Sequence, residues 1–191
     1  MKHYSNYFLL LVFLLSCTSP KVQKENKIRI AEELMSDIYH GNIEQDNTLL
    51  MTKYLSPEEG GTFASDNEND YEEFLDLLIS IKKSPKLLEE KPSLIEKRAY
   101  LHKAHVQNQK ERFGNLAMDE LVIVPYTRSD ANSFPLHSAP GSLLDNIVLV
   151  KRKKDNELVY CILFDDDTKV RSFYFLVGAP DSSVGGLAAF V

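Results

Sequence analysis

The apolar residues of this chain change their period once, near Gly114. Before that point they recur at helical spacing, as at Ile28, Ala31, Leu34, Met35 and Ile38, and again at Tyr71, Phe74, Leu75, Leu78 and Ile81. After it they come in short β-type runs at 121–124, 147–152, 158–164 and 170–177. The later runs are joined by Lys154-Asp155-Asn156 and by Asp165-Asp166-Asp167-Thr168, turns too short for a parallel crossover. Helices first and hairpin-linked strands after predict an α+β fold, with N-terminal helices packed on a C-terminal antiparallel β-meander.

Local punctuation sets the boundaries. A helix over 28–39 stops at Gly41, and a shorter one over 46–55 is capped by Asp46 and stopped by Ser56-Pro57. A loop over 57–70 contains Gly60-Gly61 and an acidic stretch, and a helix over 71–83 follows. Ser84-Pro85 ends that helix and can open another. Ser93 with Glu96 three residues on is a capping-box pattern, and it predicts a long helix over 94–112 closed by Gly114. The 127–143 connection, with Pro135, Pro140 and Gly141, is long enough to suggest a functional loop. Gly185-Gly186 precedes a last short run at 187–191.

The first twenty residues obey a different rule. Lys2 makes a basic start, residues 7–15 (YFLLLVFLL) are apolar and uncharged, and a polar, lysine-rich stretch follows. That is the layout of a secretory signal, and it is too short for a spanning helix of about 20 residues. Its end, Leu14-Leu15-Ser16-Cys17, resembles the lipobox of bacterial lipoproteins. The resemblance covers only this stretch. It implies a diacylglyceryl thioether on Cys17, cleavage before it and acylation of the new amino group. Thr18 in place of Asp implies, by the rule of that class in enteric bacteria, an outer-membrane position, taken here as facing the periplasm. Each buried CH₂ contributes about 0.8 kcal/mol, and a single chain holds a protein only marginally, so two or three chains on one cysteine make a lasting anchor. The chain then divides into a signal over 1–16, a polar tether over 17–27 and one α+β domain over 28–191.

Composition narrows the function. Cleavage removes Lys2, the one charged side chain of the signal, and the formal charge passes from −6 to −7. An acidic chain of this kind has no electrostatic footprint for nucleic acid. With Cys17 consumed by lipid, Cys161 has no intrachain partner, and its apolar strand surroundings predict a buried, inert thiol.

Catalytic patterns are scarce. No Gly-x-Ser-x-Gly elbow, phosphate-binding loop or dinucleotide fingerprint occurs, and no cofactor is implied. Ser80-Ile-Lys-Lys83 and Ser65-Asp66-Asn67 match serine-enzyme signatures as strings only, in reversed order and without the third signature. His102 and His105 stand at i, i+3 on a helix, a spacing two metal ligands can use, but Lys103, Gln107, Gln109 and Lys110 around them point to a solvated surface. Asp66, Glu68 and Asp70 begin like a calcium loop, yet Tyr71 and Leu77 occupy its glycine and glutamate positions. Asp165 to Asp167 could bind a cation but read first as a turn. Lys151 to Lys154 form a basic hairpin tip able to touch anionic lipid. Tyr126, Phe134 and His137 in the long loop are the expected lining of any cleft above the sheet.

The expectation is a lipid-anchored envelope protein with a non-enzymatic binding domain, held to the membrane through its N-terminal lipid, for an envelope protein or small ligand. The alternative is an envelope hydrolase or metal-dependent enzyme that would bring His102, His105 or His137 together with Asp165 and Asp167.

Overall fold

A computed structural model describes residues 20–46, 48–56, 68–81, 85–127, 129–130, 144–165, 168–172, 175–176 and 189–190. The lipobox with Cys17, Asp66, Phe134, His137 and Asp167 lie outside the described residues. The predicted α+β architecture is present: helices occupy the N-terminal part and an antiparallel sheet the C-terminal part.

The first helix, α1 (Pro20–Tyr39), begins eight residues earlier than its apolar stripe suggests, so most of the stretch read as a tether is helical. Its buried face is Ile30, Ala31, Leu34, Met35 and Ile38, while Ile28 is only half-buried. Lys27 is buried as well, and its ammonium donates to Asn146 Oδ1 at 2.7 Å. Gly41 ends the helix at φ 79°, where a side chain would be strained. A short helix not expected from the pattern follows, α2 (Asn42–Gln45), placing Ile43 in the core. The helix expected over 46–55 is instead a π-helical turn, Leu50–Tyr54, closed by the Leu55 N–H on Leu50 O at 2.8 Å. Asp46 accepts from the Thr48 N–H and hydroxyl, both at 2.8 Å, so it caps a turn ahead of that segment.

Then come α3 (Glu68–Ile81), α4 (Pro85–Glu89) and α5 (Leu94–Phe113). The capping box is formed, with Glu96 accepting from the Ser93 N–H and hydroxyl, both at 2.7 Å. Gly114 closes α5 at φ 77°. Among the described residues no helix is long and apolar enough to cross a membrane.

The sheet runs β1 (Leu121–Pro125), β2 (Ile147–Arg152), β3 (Leu158–Phe164) and β4 (Val170–Ser172), in that order and antiparallel throughout. The 170–177 run divides: Phe175–Leu176 (β5) pairs separately with Ala189–Phe190 (β6). Val148, Val150, Ile162 and Phe164 pack with α1 and the π turn in the main core. Ile147, Leu149, Cys161 and Leu163 project to the opposite face and are buried too, in a second cluster with Tyr126. Burial on both faces explains why β2 and β3 read as continuous apolar runs rather than alternating ones. A third cluster joins Leu75, Leu78 and Ile79 of α3 to Leu101 of α5. Helix α5 therefore packs on α3 from one side and on the main core from the other, through Ala99 and Val106.

Candidate functional site

A broad concavity lies along α5. It is a groove of about 910 Å³, walled on one side by α5 and on the other by α2, the π turn and the α4–α5 corner. Its floor is buried apolar surface: Ile43, Ala99 and Val106. Met51, Leu87 and Tyr100 stand half-buried on its walls. Its rim carries both signs of charge, with Glu90 and Glu96 near Lys91 and Lys103.

Local structure fixes both ends. At one end α4 stops when the Glu90 and Lys91 N–H groups bond Leu87 O and Leu88 O at 3.3 and 3.1 Å. Lys91 takes φ 51°, unusual for a side-chain-bearing residue. Pro92 and the Ser93–Glu96 box then restart the chain as α5 within three residues. At the other end Lys110 of α5 pairs with Glu44 of α2 at 2.6 Å. The π turn buries Leu50 and Tyr54 while Met51 lines the groove. The Tyr54 hydroxyl donates a very short hydrogen bond to Asp37, which also accepts from Lys53 and Asn42 at 2.8 Å each. Burial raises the Asp37 carboxyl, but the bonds from Lys53, Tyr54 and Asn42 outweigh it and hold it below the usual carboxylate range. Burial, then the bond to Asp37, pushes the Tyr54 phenol up. The groove wall is thereby tied to α1.

Behind the groove, α5 buries polar groups. Arg98 donates to Ser56 O at 2.9 Å and to Arg171 O at 2.5 Å, joining α5, the segment after the π turn and β4. Lys97 pairs with Asp76 at 2.6 Å and Glu72 at 2.7 Å on α3. Burial alone would lower the Lys97 ammonium, yet those carboxylates raise it.

The predicted site residues fall in separate places. His102 is fully buried, not solvated as its neighbours suggested. Its Nδ1 lies 2.6 Å from Arg98 O, and burial with the Arg98 charge lowers the imidazole to about 3, so the ring is neutral and Nδ1–H donates. His105 packs edge-on against Tyr160 at 5.6 Å, beside Gln109. Asp165 pairs with Arg171 at 2.6 Å, and its N–H closes the turn on Lys169 O. Tyr126 is buried in the cluster on the sheet's second face and does not line the groove. Cys161 is buried, and burial pushes its thiol up to about 12, which makes it inert at neutral pH. Among the described residues no three His, Cys, Asp or Glu side chains gather as a metal ion would need. Of the basic hairpin tip, Lys151 pairs with Asp130 at 2.6 Å, and Arg152 with Asp155 and Glu157 at 2.6 and 2.7 Å.

The groove was not legible in the sequence. It assembles residues from 43 to 107, and the one available signal was weak: α5 lacks a single apolar stripe. No family model, no curated protein and no solved structure matches the chain.

Proposed function

We propose that this chain is a lipid-anchored protein of the bacterial cell envelope, held through Cys17 on the periplasmic side of the outer membrane, whose domain binds a segment of another envelope protein in the α5 groove. The groove carries this reading. Its volume of about 910 Å³ falls within the range of about 300–1,000 Å³ typical of ligand sites. Its buried floor suits apolar side chains, and the mixed charge of its rim suits flanking residues of either sign. Of the groups an enzyme would use here, His102 and Asp165 are already engaged, with Arg98 O and with Arg171. The anchor is supported by the lipobox resemblance and the acidic domain that follows it.

The test places a photo-crosslinking residue at Gln107, on the groove, and at Glu157, which does not line it. The groove position yields a discrete adduct whose sequenced peptide contains apolar residues, and Ala104→Trp, which fills the groove, abolishes it. Equal adducts from both positions, or an adduct untouched by Ala104→Trp, contradict the proposal. The protein's retained melting transition checks that Ala104→Trp still folds.

A further inference from the structure

We propose that the first two turns of α1 rest on an anionic bilayer surface, with Lys21 and Lys24 among the headgroups and the β2–β3 turn pointing away. The inference rests on the anchor reading above and adds an orientation to it.

Chain length comes first. Helix α1 begins at Pro20, three residues after Cys17, so the lipid-bearing residue and the helix are separated by at most about 10 Å of extended chain. The helix cannot swing freely from the sheet, because Lys27 is buried and bonded to Asn146 at 2.7 Å. The bilayer is thus held next to one defined edge of the domain.

Charge comes second. The first turn of α1 has no acidic residue, and Lys21 and Lys24 stand where the helix dipole disfavours cations. Their intramolecular partners compensate little. Lys21 is 85 % exposed and 3.9 Å from Glu25; Lys24 is 50 % exposed and 4.0 Å from Asp145. Exposed pairs at such distances contribute little. Val22 between them is 51 % exposed, one of two large apolar side chains so exposed among the described residues. Two exposed lysines beside an exposed valine suit an anionic interface, with Glu25 and Asp145 beside them as loosely held partners, while a mature chain of formal charge −7 is repelled from it elsewhere. The competing basic patch, which also carries the exposed Lys153 and Lys154, fails on position. Lys151 and Arg152 are paired, and the turn beyond Arg152 lies at the other end of β2 from Asn146, about 17 Å along the strand.

The experiment uses the full, acylated chain in vesicles of phosphatidylcholine and phosphatidylglycerol. A nitroxide is attached at Val22→Cys or, separately, at Lys154→Cys; Cys161 is buried and Cys17 carries lipid. Relaxation by gadolinium-chelating headgroups reports proximity. The label at 22 is strongly relaxed and the label at 154 is not. Lys21→Glu with Lys24→Glu lowers the contacting population at least about thirtyfold, from roughly 1 kcal/mol per lysine near the surface. Salt at about 1 M, where screening acts within about 3 Å, does the same. Equal relaxation at both positions, or no response to charge reversal, in a chain whose intact mass includes acyl groups overturns the orientation and leaves the anchor standing. A chain without acyl mass overturns the anchor and the orientation with it.

Discussion

His102 is a neutral imidazole in a place that water does not reach, and the protein's acid stability follows from it. Its folded value of about 3 lies below the ordinary 6.5, so as pH falls below 6.5 the unfolded chain takes up a proton that the folded chain refuses. Stability contributed by the neutral ring is complete above about 6.5 and is lost progressively down to about 3, with a slope of up to about 1.4 kcal/mol per pH unit. Urea midpoints measured between pH 7 and 4 should fall for the wild type and fall less for His102→Gln. Parallel slopes would show that His102 is not the group responsible. The same residue shows what the sequence hid. Lys103, Gln107 and Gln109 around it suggested a wet surface, but α5 buries Lys97, Arg98 and His102 by giving each a specific partner. Polarity in the sequence does not disclose such partners: those of Arg98, Ser56 and Arg171, come from 42 and 73 residues away, and those of Lys97 lie on another helix.

At the scale of elements, punctuation was legible where it acts within a few residues. The Ser93–Glu96 box, Gly114 after α5 and Gly41 after α1 are all where the pattern placed them. Gly41→Ala should cost about 1 kcal/mol in chemical denaturation. The added Cβ would meet nothing closer than 3.8 Å, so the cost is conformational, arising at φ 79°. Gly41→Asn should cost less, since Asn tolerates that region; equal losses would mean that the turn, not the φ angle, sets the penalty. What stayed hidden was non-local or atypical. The lysines of 20–27 read as tether because a deep contact such as that of Lys27 with Asn146 spans 119 residues. The π turn has a period for which the apolar pattern has no template.

For the molecule as a whole, α+β order was legible because one change of period divides the chain and the turns after it are short. The groove was not, since it depends on how α2, the π turn and α4 meet α5. On the proposed reading, its use and the membrane attachment are linked: α1 would carry the domain from a lipidated Cys17, and the bond from Tyr54 to Asp37 ties the groove wall to that helix. A partner bound in the groove would then be held beside the membrane, and releasing the anchor would scatter both.

The most direct test of the account is intact mass with membrane fractionation of the native protein beside Cys17→Ala. The account predicts a wild-type chain that starts at Cys17, carries acyl mass and sediments with membranes, while Cys17→Ala is unmodified and either released or left uncleaved. Two proteins of unmodified mass that fractionate alike would contradict it, and would make Cys17 incidental to a domain that is not lipid-anchored.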